Sequence, residues 1–197
     1  MKSTHRIFIS LLVVPLLAAC AGTNFVRMQD DSLELGKTTY QSIQDRMGSS
    51  GKEGVVSING KQYKTLNYTY ASVGGEALHS DVTPARGQTF YFMDRILVGH
   101  EFLSSFKSDN TDFDSGKVSA IEKGISTGGD VISLLGKPAG QFIYPIAKNR
   151  DGEIFLYLYS ETSGSAFYMK TNIKRLAIEL DAQGKVVEVN FSEVRPS

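Results

Sequence analysis

Leu35-Gly36-Lys37-Thr38-Thr39 and Lys123-Gly124-Ile125-Ser126-Thr127 read as two copies of one phrase, and their relation decides how the chain is organised. Gly36 falls on Gly124, Thr39 on Thr127, Ile43 on Val131, Met47 on Leu135 and Gly48 on Gly136, at a constant offset of 88. Further on the register loosens slightly, and Tyr68 and Tyr70 match Tyr157 and Tyr159 at an offset of 89. Self-similarity at a fixed offset is the mark of one supersecondary unit written twice.

Each copy carries the same local signals. A helix over about 31–35, or 115–123, is expected to end at Gly36 or Gly124, because glycine most cheaply adopts the left-handed conformation that closes a helix. Thr38 or Thr39, and Thr127, then offer an N-cap oxygen, with Gln41 and Asp130 three positions beyond Thr38 and Thr127 as in a capping box. A second helix runs to Met47 or Leu135 and stops at Gly48 or Gly136, where Pro138 bars its continuation in the second copy. Ile43 and Met47, like Val131 and Leu135, share one helical face. The pattern then turns to strands: Leu66, Tyr68 and Tyr70 alternate with polar residues. Further strands are predicted over 88–92, 96–102, 154–159, 166–170, 173–180 and 185–191. The expected fold is α+β: two tandem repeats, 29–108 and 109–197, each a helical hairpin packed on one face of an antiparallel β-sheet.

The amino terminus reads as an address. Lys2, His5 and Arg6 precede an apolar run over 7–17, and Ala18-Ala19 stand before the chain's single cysteine, Cys20. The run is shorter than the ~20 residues a bilayer span needs, and 1–19 is read as a cleaved signal peptide. Leu17-Ala18-Ala19-Cys20 resembles a bacterial lipobox, which implies diacylation of the Cys20 thiol, cleavage before it and acylation of the new terminus. Two or three acyl chains suffice for stable anchoring without a span. Ala21, in lipoproteins that this one resembles, goes with sorting to the outer membrane, facing the periplasm. Residues 20–28 are read as a tether reaching roughly 30 Å when extended. Loss of 1–19 leaves 19 basic against 21 acidic residues.

The run Ile121-Glu122-Lys123-Gly124-Ile125-Ser126-Thr127, followed by Val131 and Leu134-Leu135-Gly136-Lys137-Pro138, resembles the helical-hairpin signature of the SmpA/OmlA (BamE-like) outer-membrane lipoproteins. The resemblance implies two helices on a three-stranded sheet. The tandem arrangement is similar to beta-lactamase inhibitory protein-like folds. The first copy departs from the signature at Lys37.

Composition bounds the function. Hydrophobic residues make up 41% of the 197 and charged residues 21%, with 21 basic against 21 acidic, which excludes a coiled coil or a disordered chain. The even balance lacks the basic excess of a nucleic-acid binder. One cysteine excludes a disulfide framework or a multi-cysteine zinc site. Gly124-Ile125-Ser126-Thr127-Gly128 matches the nucleophile-elbow pattern, but it joins two expected helices and no histidine follows His100, so it reads as a capping loop. His79 and His100 do not converge with other ligands, and residues 109–116 lack calcium-loop spacing. No catalytic residue, cofactor, metal or small-molecule substrate is expected.

Aromatics carry the remaining signal, with nine tyrosines, eleven phenylalanines and no tryptophan. In the second copy both strand faces are apolar: Ile154, Leu156 and Leu158 on one, Phe155, Tyr157 and Tyr159 on the other. The excess either packs against the other repeat or forms a tyrosine-rich binding surface, with Phe155, Tyr157, Tyr159, Tyr68 and Tyr70 as partner-binding candidates. The expected function is a lipid-anchored, non-enzymatic module that binds another envelope protein, in outer-membrane assembly or integrity. An inhibitor of a periplasmic or secreted enzyme is the alternative that the tandem likeness implies.

Overall fold

A computed structural model describes residues 22–165 and 168–195. The signal segment 1–19 and Cys20 lie outside the described residues, as do residues 166–167 of one expected strand. The chain forms one continuous antiparallel sheet of eight strands in sequence order. These are β1 (Lys52–Ile58), β2 (Lys61–Ala71), β3 (Ala85–Met93), β4 (Ile96–Ser104), β5 (Gly140–Ile143), β6 (Glu153–Ser165), β7 (Tyr168–Leu180) and β8 (Val186–Val194). Two helices of eight residues, α1 (Tyr40–Met47) and α2 (Gly128–Leu135), lie against one face, with short 3-10 segments at Asp30–Ser32 and Ser115–Ala120.

The expected pair of helical hairpins, each on its own sheet, is therefore corrected. The first arm of each hairpin does not form an α-helix. Asp30–Ser32 is bounded by extended Gln29 and Leu33, and Ser115–Ala120 by extended Ile121. So few residues between fixed extended ends cannot offset the cost of nucleating an α-helix. Where a helical hairpin with three or four strands was expected, each half has one helix and four strands. β1 and β5, absent from the sequence reading, follow the helix directly, and β7 runs unbroken where two strands were expected.

The two halves nonetheless repeat bond for bond. Gly36 N–H donates to Leu97 O (2.8 Å) and Gly124 N–H to Val186 O (2.7 Å). Leu97 N–H returns to Thr38 O and Val186 N–H to Ser126 O. Gly36, Gly48, Gly124 and Gly136 have φ of +81°, +80°, +76° and +83°, a region open to glycine at little cost. Thr39 and Thr127 cap α1 and α2, and Thr127 forms a full capping box with Asp130. Ile43 and Val131, both fully buried, anchor the helices to separate apolar clusters. The first cluster is built on Leu66, Tyr68, Phe90 and Phe92, and the second on Phe155, Tyr157, Leu176 and Ile178. A third, around Tyr63, Val98, Phe142, Ile146 and Leu156, fills the opposite face.

The stretch read as a tether is built into the first half. Phe25 and Met28 are buried, and Gln88 exchanges two hydrogen bonds with the backbone of Met28 (2.9 and 2.8 Å). Phe25 packs on Tyr68 at 6.0 Å between rings, as Phe113 packs on Tyr157 at 5.8 Å. Phe25 and Phe113 are 88 apart, so this segment is the first copy of what 109–116 provides in the second. Gly22, the first described residue, bridges to Tyr70 in antiparallel sense.

Candidate interaction edge

The seam between the halves shows what this architecture does with the outer side of a fourth strand. β4 receives β5 through Gly99↔Phe142, His100↔Gln141 and Glu101↔Gly140, and Phe102 N–H donates to Ala139 O at 2.7 Å. Gly99 has no side chain at the crossing, and a Cβ there would stand 2.1 Å from the Phe142 ring. Phe102 is fully buried, with the Arg27 guanidinium 4.3 Å above its ring.

β8 is the second copy of β4. Phe102 faces Gln88 on β3, and Phe191 faces Leu176 on β7, so Phe102 and Phe191 correspond at an offset of 89. His100 corresponds in the same way to Val189. But among the described residues β8 is the last strand of the sheet, with no strand paired on its outer side. Phe191 is 41% exposed where Phe102 is 0%, and Val187 and Val194, further along the same strand, are 40% and 60% exposed. An uncovered, largely apolar edge strand of nine residues is a template for pairing with another chain.

The tyrosine-rich surface expected from sequence is not presented. Phe155, Tyr157, Tyr159 and Tyr68 are buried, and Tyr70 is half-buried with its ring stacked on Phe106. Tyr157 and Tyr68 spend their hydroxyls on the Gly136 and Gly48 carbonyls, both at 2.8 Å. Tyr159 donates to Glu161 Oε2 at 2.7 Å. The second apolar face of β6, with Ile154, Leu156 and Leu158, joins the third cluster under the β1–β2 hairpin. Both faces of β6 are thus used by the chain itself.

The polar residues weighed from sequence are dispersed over the fold. Ser126 Oγ accepts from Glu122 N–H (2.9 Å) in the turn before α2. His79 meets Glu161 Oε2 at 2.7 Å, joining the loop after β2 to β6. Burial raises the Glu161 carboxyl, but hydrogen bonds with His79, Tyr159 and Asn172 outweigh it and hold the carboxyl below its ordinary value. His100 is buried on the helix face of the seam, where desolvation lowers its pKa against the pull of Asp30, 3.8 Å away. Glu101, its neighbour on the opposite face, is raised by burial while accepting a 3.0 Å hydrogen bond from Tyr91. Among the described residues no three His, Cys, Asp or Glu side chains stand at metal-holding spacing. No described helix is long and apolar enough to cross a membrane.

No protein-family model matches the chain, and no curated protein or solved structure shows significant similarity to it. None of these comparisons identifies an SmpA/OmlA or BamE-like domain.

Proposed function

We propose that this chain is a lipid-anchored, non-catalytic module of the cell envelope that binds another envelope protein by taking an extended strand onto β8. The observation that carries the reading is the inequality of two equivalent strands: β4 is completed by β5, whereas no strand among the described residues takes that place on β8. The β4–β5 ladder is the template for the bound state. An antiparallel segment lying beside Glu188, Val189 and Asn190, the counterparts of Gly99, His100 and Glu101, would extend the sheet and cover Phe191. Main-chain hydrogen bonds would supply affinity and apolar contact with Phe191 would supply selectivity. Acylation at Cys20, the reading of the lipobox, would hold the module at the membrane and raise its effective concentration near envelope partners.

The test is photo-crosslinking in intact cells from a probe at Val187, with one at Val55, exposed on β1 at the opposite margin of the sheet, as the control. The expected result is a discrete adduct with an envelope protein from Val187 alone, lost in F191K. Equal adducts from both positions, or none from Val187, would refute edge recognition. An adduct with a second copy of this chain would replace the heterologous partner by self-association.

A further inference from the structure

The anchor reading and the packed amino terminus together constrain how the module stands on its membrane, and this inference rests on the acylation of Cys20. Gly22 is held against β2 so closely that a Cβ there would stand 2.1 Å from Thr69 O. Arg86 donates to Phe25 O at 2.7 Å just beyond it. One residue, Ala21, separates Cys20 from Gly22, so the two Cα steps between them span at most about 7 Å. The acyl chains therefore hang from the sheet itself and not from a long leash.

The bridge Gly22↔Tyr70 is antiparallel, so the chain enters from the end of the sheet at which β2 leaves. That end also holds the ends of β4, β6 and β8 and the starts of β3 and β7. Tyr70 lies level with Arg86 and Ser104. Glu101 lies level with Gly140 and Leu156, so Ser104 stands level with Tyr159. The β6–β7 hairpin continues six residues beyond Tyr159 to Ser165, about 20 Å at the usual rise per residue. Counted along the strands, its tip extends at least as far as the acylated residue can reach.

Large apolar side chains stand exposed there among polar ones. Tyr168 and Met169 are 81% and 71% exposed, and Val73, in the turn that follows β2, is 90% exposed. Ile173 and Val194, paired across β7 and β8, extend the apolar surface toward the same end. Lys170 stands exposed one residue beyond Met169. Exposed aliphatic side chains around a tyrosine, with a lysine able to reach outward, suit a bilayer interface. We infer that this end of the sheet is a lipid-binding surface: Tyr168 and Met169 at the start of β7 and the turn at Val73 insert into the interfacial layer beside the acyl chains. The strands then stand on the membrane, and the turns at the opposite end point away from it.

The chain has no tryptophan, so one introduced at the tip reports alone. The full mature protein is reconstituted into phosphatidylcholine vesicles with and without brominated acyl chains. Y168W and M169W are compared with I125W, whose turn abuts the start of β8 at the far end. The expected outcome is at least about twofold quenching by bromolipid at Tyr168 and Met169, and none at Ile125. Flotation of wild type and C20S with vesicles tests the anchor separately. If wild type floats and C20S does not, but quenching is equal or absent at all three positions, the anchor stands and the inserted tip is refuted. If wild type neither floats nor carries acyl mass, both fall.

Discussion

The Tyr157 hydroxyl donates to the Gly136 carbonyl over 2.8 Å, closing the end of α2 onto the sheet. The bond has a counterpart, Tyr68 to Gly48, at the same length. Each tyrosine satisfies a carbonyl that the end of its helix leaves without a partner, and each does so from a buried ring. Y157F and Y68F are each expected to cost ~1 kcal/mol, the usual net value of such a bond, measured as a shift in urea midpoint at unchanged slope. Costs differing severalfold between the two would count against structural equivalence of the halves.

The two helix starts differ in one respect, and stability should register it. Thr127 both caps α2 and receives Asp130, whereas Thr39 only accepts from Ser42 N–H. Hydrogen bonds from the Thr127 side chain and backbone hold the Asp130 carboxyl below its ordinary range. T127A should cost about 1 kcal/mol and T39A somewhat less. Chemical denaturation at pH 7 checks both.

Equivalent phenylalanines in unequal surroundings give a sharper contrast. F102K places a charge at a fully buried site between β3 and β5 and is expected to unfold the chain or lower its melting temperature severely. F191K, at the open edge, should stay within about 0.5 kcal/mol of wild type, as surface substitutions do. Thermal unfolding of both reads the difference. Strong destabilisation by F191K would mean that β8 is already covered.

Acid stability should carry two opposed contributions. The Glu161 carboxyl sits below its ordinary value of 4.5, so its stabilisation is present above that pH and is lost as pH falls through the lower folded value. The Glu101 carboxyl is raised, so its contribution is full below 4.5 and is lost as pH rises through the folded value. E101Q should therefore gain stability over wild type at pH 7 and match it in acid. E161Q should lose stability at pH 7 and flatten the acid limb. Melting temperatures from pH 3 to 8 decide the signs.

The glycine-bounded phrases made the repeat legible, because positive φ at Gly36, Gly48, Gly124 and Gly136 is a demand that sequence states openly. The cap at Thr127 was legible from its spacing to Asp130, whereas the first copy offered Thr38 and Thr39 alike, and there Thr39 caps while Gln41 donates to Asp45 instead of closing a box. The helical hairpins were misread because residues 31–35 and 115–123 carry helix-compatible residues, while Leu33 and Ile121 are drawn into extended backbone. β1 went unseen because Lys52, Glu53 and Gly54 give it no apolar alternation, and β5 because four residues are too few to show a period. The tyrosines misled for a physical reason: a ring with a polar tip serves a buried helix closure as well as an interface. The open edge could have been found by pairing Phe102 with Phe191 and asking which strand comes after each. Strand order, which no single residue announces, was the missing link.

The seam has a mechanical meaning. On the proposed function, a pull between an acylated amino terminus and a partner on β8 would enter at β2 through the Gly22↔Tyr70 bridge and run crosswise through the ladders from β2–β3 to β7–β8 in series. The narrowest of these is β4–β5, with three register pairs. It is stapled away from the ladder by Thr83 N–H to Thr162 O (3.1 Å) and by Asn59 to Ile146 O (3.1 Å). Under load the molecule should part there first, into two halves that each keep a helix, four strands and a core.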